Sequence, residues 1–146
     1  MDFGFNGLYK SGAVRKKLTG LTEVEELNLN GNYISRFPLK MFTGQPKMRE
    51  LHLNSNFIFS IPSDLFTHTP NLELADLKNN NIREMKKTMF YSNKSLKFLD
   101  FSNNNLESIC KGIFAYQERL SQFLDLTRLI KFKLYIRRHL RTLRVN

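Results

Sequence analysis

Asparagine recurs at Asn32, Asn56, Asn80 and Asn104, at constant intervals of 24 residues, and the apolar positions around it recur in the same register. Self-similarity at such a period constrains the fold more tightly than any composition value. Each unit is one supersecondary element that can bury its apolar face only against its neighbours, and the expected architecture is a solenoid.

With Val24, Met48, Leu72 and Leu96 as unit starts, the fourth position reads Leu27, Leu51, Ala75, Leu99 and the sixth reads Leu29, Leu53, Leu77, Phe101. The ninth is always asparagine. Position eleven gives Ile34, Ile58, Ile82, Leu106, position fourteen gives Phe37, Ile61, Met85, Ile109, and position nineteen is invariably phenylalanine: Phe42, Phe66, Phe90, Phe114. Apolar residues at positions four and six alternate with polar ones at period two, so each unit opens with a short strand whose apolar side points inward. Four such strands are expected to stack into one parallel sheet.

After each strand the chain must turn away, leaving backbone donors and acceptors near the core without ladder partners. An asparagine amide offers two donors and an acceptor, and stacked copies can bridge successive turns. The four phenylalanines are expected to form a second ladder toward the convex side, each burying a large ring. Both ladders are read as scaffold that holds the fold and touches no ligand.

Written out, the unit is L-x-x-L-x-L-x-x-N-x-I-x-x-I-P-x-x-x-F, which resembles the 24-residue leucine-rich repeat of extracellular type, with Pro38 and Pro62 supplying its proline in two units. The match covers residues 24–119. The resemblance implies an α/β repeat fold, a leucine-rich-repeat solenoid with a parallel concave β-sheet and an irregular or 3-10 convex side. Residues 1–23 form a degenerate N-terminal repeat or flank, in which the same register catches Phe3, Phe5, Leu18 and Leu21 but places Leu8 where asparagine belongs. Residues 120–146 hold an aborted fifth repeat and a basic amphipathic tail. Asp125 falls on a core position there, Arg128 replaces the asparagine, and Phe123-Leu124-Asp125-Leu126-Thr127 resembles a strand opening shifted by one residue. Relatives of the extracellular type commonly carry cysteine-rich caps, whereas Cys110 is the single cysteine here and no internal disulfide can form. The chain thus resembles an internal piece of a longer ectodomain or an incomplete gene product.

The net charge of +10 belongs to the ends. Residues 1–17 contribute +3 and residues 127–146 contribute +7, while residues 18–126 balance twelve basic against twelve acidic side chains. The high pI therefore says little about what the repeats bind. In the tail, Leu129, Phe132, Ile136, Leu140 and Leu143 follow helical spacing among basic residues. That helix is read as a cap over the open end of the sheet, with a membrane-surface helix or a sequence unrelated to the parent fold as alternatives. Any membrane contact is assigned to residues 127–146. No stretch of about eighteen apolar residues exists, so no transmembrane helix is expected. The opening Met-Asp-Phe-Gly-Phe-Asn has no apolar run of a signal peptide, which taken literally makes the chain cytoplasmic. The repeat subtype, with the acceptor triplet Asn93-Lys94-Ser95 as a glycosylation candidate, favours an extracellular or cell-surface parent.

Period-two alternation sends strand positions three, five and seven to the concave face. These columns are Glu26, Glu50, Leu74, Phe98; Asn28, His52, Asp76, Asp100; and Asn30, Asn54, Lys78, Ser102. His52, Asp76 and Asp100 come nearest to a catalytic or metal constellation, but no nucleophile, oxyanion donor, zinc spacing or phosphate loop accompanies them. No catalytic residue, metal or cofactor is assigned. Leu74 and Phe98 are large apolar side chains at solvent-facing positions, rimmed by Glu50, Asp76, Lys78 and Lys97, an arrangement that suits protein recognition. Partner contacts are expected from Glu26, Glu50, His52, Leu74, Asp76, Lys78, Phe98 and Asp100. The expected function is a non-catalytic protein–protein recognition module, resembling pieces of the ectodomains of Toll-type receptors, adhesion receptors and matrix leucine-rich proteins; an intracellular leucine-rich-repeat scaffold or regulatory protein is the alternative. Nucleic acid is not an expected partner, since the basic tail has only Phe132 and Tyr135 to stack on bases.

Overall fold

The computed structural model describes residues 1–4, 16, 18, 20–38, 40–109 and 112–124. Cys110, Arg128 and the basic tail lie outside the described residues. Among the described residues seven short strands follow one another: β1 (Glu26–Asn28), β2 (Glu50–His52), β3 (Leu74–Asp76), β4 (Glu84–Met85), β5 (Phe98–Asp100), β6 (Ser108–Ile109) and β7 (Gln122–Leu124). Five of them form one parallel sheet in the order β1-β2-β3-β5-β7, and β4 pairs with β6 in a second, two-stranded sheet.

The register repeats the sequence period. Leu27 pairs with Leu51, Leu51 with Ala75, Ala75 with Leu99 and Leu99 with Phe123, each 24 residues on. Among the described residues the sheet therefore has five strands where four were expected. The fifth, β7, enters without the one-residue shift that its sequence suggested, because backbone pairing with β5 dictates its register. Central strand residues Leu27, Leu51, Ala75 and Leu99 are at most 1% exposed, while the flanking positions of β1, β2 and β3 are half-buried or exposed.

Strand length is limited by the turn that follows. Gly31, Ser55, Asn79 and Asn103 occupy position eight of their units and all have φ between 54° and 62°, the left-handed region that ends a strand. The asparagine after each then accounts for the stranded backbone groups. Asn80 Nδ2 donates to the Leu77 carbonyl in its own unit and to the Leu53 carbonyl one unit back, both at 3.0 Å, while its Oδ1 accepts the Ile58 N–H at 3.0 Å. Asn56 and Asn104 repeat the pattern on Leu53, Leu29 and Ile34 and on Phe101, Leu77 and Ile82. Asn32 donates to Leu29 and to Phe3.

Behind the sheet, each unit returns through turns closed by i→i+3 backbone bonds, such as Thr69 N–H to Phe66 and Asn93 N–H to Phe90. The core runs between sheet and turns as one continuous cluster. In it Phe66 stacks on Phe90 with centroids 5.2 Å apart, Phe90 stacks on Phe114 at 6.3 Å, and Phe101 meets the edge of Phe90. Phe42 is 1% exposed and packs against Phe37. Burying one such ring contributes about 1.5–3 kcal/mol.

The first unit departs from the period. Asp2 bridges Asn28 in parallel, the Phe3 N–H donates to the Asn28 carbonyl and the Asn28 N–H to the Met1 carbonyl. That offset is two residues longer than the repeat, and Phe3 stands at strand position six instead of four. Leu18 is again 24 residues ahead of Phe42, so the extra residues fall between Phe3 and Leu18; Phe5 and Leu8 lie outside the described residues.

Candidate functional site: the solvent face of the sheet

The sheet presents its position-three side chains as a row fixed by backbone pairing: Glu26 beside Glu50, Glu50 beside Leu74, Leu74 beside Phe98. Leu74 and Phe98 are half-buried on this face. They stand as immediate neighbours on adjacent strands, about 5 Å apart at the backbone.

Position five behaves differently from a free ligand-binding column. Asn28 Oδ1 accepts the Asn30 N–H, Asp76 Oδ1 the Lys78 N–H at 3.0 Å, and Asp100 Oδ1 the Ser102 N–H at 2.7 Å. These short side chains close the end of their own strands. Asp100 is only 7% exposed, and the second carboxylate oxygen of Asp76 accepts from Asn54 Nδ2 at 2.7 Å. His52 does not make that turn, and in its unit the Asn54 N–H is taken instead by Asn30 Oδ1. His52 consequently does not gather with Asp76 and Asp100. Its Nε2 lies 3.5 Å from Glu50 and 3.9 Å from Glu26, across the other edge of β2. Lys78 is exposed beside Asp76.

Next to this face runs a charge ladder that reading the columns singly did not reveal. At position two, Arg49 bonds Glu73 at 2.8 Å and approaches Glu25 at 3.9 Å, and Lys97 bonds Glu73 at 2.5 Å. Lys47 pairs with Glu23 two residues upstream. Hydrogen bonds from Lys97 and Arg49 hold the Glu73 carboxyl below the usual carboxylate range, and Glu73 raises Arg49 in return; Lys47 lowers Glu23 in the same way. The signal was available as residues of alternating sign at a 24-residue spacing.

Asn93 is a correction. It is 0% exposed, and its Nδ2, the atom a glycan would occupy, donates to the carbonyls of Thr69 at 2.7 Å and Phe66 at 3.1 Å. It belongs to a second polar ladder with Gln45, Thr69 and Gln117, all buried at a spacing of 24 residues. Gln45 reaches back to the Leu18 carbonyl and Gln117 to that of Phe90. A folded chain of this geometry has no place for a sugar on Asn93.

Exposed aromatics also escaped the column reading. Tyr33 stacks on Phe57 at 5.8 Å, Arg36 lies over Phe59 at 4.9 Å, and Tyr91 meets Tyr116 at 4.9 Å. Tyr33 and Phe57 occupy the position directly after the ladder asparagine, where Asn81 and Asn105 stand in the later units. No described helix is long and apolar enough to cross a membrane.

Comparison with known proteins agrees with this architecture. Residues 46–106 match the family described as leucine rich repeat. A search of curated proteins gives no match. Among solved structures, the leucine-rich repeat domain of APL1B superposes with a TM-score of 0.75 at 23% identity, over 86% of this chain and 37% of that one. A leucine-rich-repeat protein of Leptospira interrogans gives 0.75 at 27% identity, over 86% of this chain and 32% of that one, and the APL1 leucine-rich repeat domain gives 0.70 at 23%, over 76% and 29%. The chain thus spans about a third of the length of the solved structures it matches.

Proposed function

Because residues 46–106 are leucine-rich repeats and the described chain folds as a leucine-rich-repeat solenoid, a fold that generally mediates protein–protein interaction, we propose that this chain is a non-catalytic recognition module whose sheet face binds a protein ligand. The observation that carries the reading is the Leu74–Phe98 pair, placed side by side by strand pairing on a face otherwise lined by Glu26, Glu50, His52, Asp76 and Lys78. Half-buried apolar side chains on a rigid sheet lose little entropy on contact, and the charged surround confers orientation and partner choice. Glu50 and Lys78 are the rim contacts of this reading. Asp76 and Asp100 support the strand ends beneath it.

The finer placement we infer is part of a receptor or adhesion ectodomain at the cell surface. The 24-residue pattern with its asparagine and phenylalanine ladders supports it; the buried Asn93 contributes no glycan to that argument.

The test begins by screening the chain against arrayed ectodomain proteins and, in parallel, cytosolic proteins, then measuring the captured partner against Leu74→Glu with Phe98→Glu. Loss of binding by roughly tenfold or more, with an unchanged melting midpoint, is the expected result. Full retention of affinity in the double variant would sink the sheet-face assignment, and capture confined to cytosolic partners would sink the cell-surface one.

A further inference from the structure

Glu26 and Glu50 are directly paired across β1 and β2. Two carboxylates at register-matched positions of one sheet face repel each other. Elsewhere on the surface the carboxylates of Glu23, Glu25 and Glu73 lie within ion-pair reach of lysine or arginine. Glu26 and Glu50 meet no lysine or arginine at that range among the described residues, and Arg49, the nearest base along the chain, spends its guanidinium on Glu73. What they share is His52, two residues along β2 from Glu50 and on the same face.

Three donor atoms, His52 Nε2 and one oxygen from each glutamate, lie within 4.8 Å of one another. Bonds of about 2.0–2.2 Å to a tetrahedral ion place its ligands roughly 3.3 Å apart. The imidazole already stands 3.5 Å from Glu50 and 3.9 Å from Glu26, so small rotations of two exposed glutamates close the set. The strands themselves need not move. The His52 side chain is 23% exposed against 62% and 48% for the glutamates, so the nitrogen donor is the anchored member.

We propose that Glu26, Glu50 and His52 form a surface site for a divalent transition-metal ion of the zinc class, with water in the remaining coordination positions. An imidazole beside two carboxylates suits zinc and its late first-row neighbours, whereas calcium and magnesium prefer all-oxygen shells. Binding offsets the repulsion between the paired glutamates and ties β1 to β2 through side chains. This inference goes beyond the recognition reading and does not depend on it.

The experiment is calorimetric titration of Zn²⁺ into the full chain carrying Cys110→Ser, with the His52 ring followed by NMR. One site is expected, with the His52 ring resonances shifting on saturation and no binding of Ca²⁺ at equal concentration. Glu50→Gln and His52→Asn should each weaken Zn²⁺ binding by roughly tenfold or more, and Glu26→Gln comparably, while exposed His68→Asn leaves it unchanged. All three side chains are partly exposed, and metal-free melting curves check that the variants fold. Equal affinity in the His52 and Glu50 variants, or no binding at millimolar Zn²⁺, would overturn the site.

Discussion

An asparagine in this chain is defined less by its identity than by its slot. Asn80 sits where one amide satisfies two carbonyls and an N–H drawn from two units, so Asn80→Ala should cost about 1–3 kcal/mol in denaturant unfolding, the penalty for buried groups left unpaired. Position eight makes the complementary argument through the backbone. Ser55 holds a φ of 57° that Asn79 and Asn103 adopt in sister units, and asparagine tolerates this region better than serine. Ser55→Asn should therefore raise stability by up to about 1 kcal/mol, seen as a higher denaturation midpoint with an unchanged slope. The ninth-position amides were legible from spacing alone because one residue type recurs four times. The buried ladder of Gln45, Thr69, Asn93 and Gln117 was not, since three residue types share one task there and the triplet around Asn93 carries a competing signal.

At the scale of the strand and its neighbours, backbone pairing dominates. It draws β7 into register despite a poor sequence match, and it sets Phe3 two residues out of the repeat, because strand bonds act between whatever residues the intervening loop delivers. Period-two alternation foretold the open faces of β1, β2 and β3, but not the burial of Asp100 and Ser102, nor which side chains touch. His52 lies toward the glutamates, whereas its position-five relatives use short carboxylates and amides to close their own strands. The ion-pair ladder adds a pH dependence of defined sign. A carboxyl held low in the folded state stabilises above the unfolded carboxylate range and loses that contribution as pH falls through its folded value. Glu73→Gln should accordingly flatten the acid limb of a stability profile recorded by thermal melting at low salt, and high salt should shrink the difference between the two proteins.

For the molecule as a whole, every bond that joins units is a step of about one repeat, so cohesion is a sum of like interfaces. The buried amide of Asn93 has a consequence at this scale: chain secreted from a glycosylating host should show Asn93 unoccupied when its peptides are analysed by mass spectrometry. The ladder of Glu25, Arg49, Glu73 and Lys97 has another. Its backbone recurs every 24 residues, but its charge changes sign at each step, so the electrostatic period is two units. Excising one unit would rejoin the core flawlessly and set Glu25 against Glu73; excising two would set Glu25 against Lys97. Charge therefore gives this otherwise translational scaffold a parity, under which units are exchangeable in pairs but not singly.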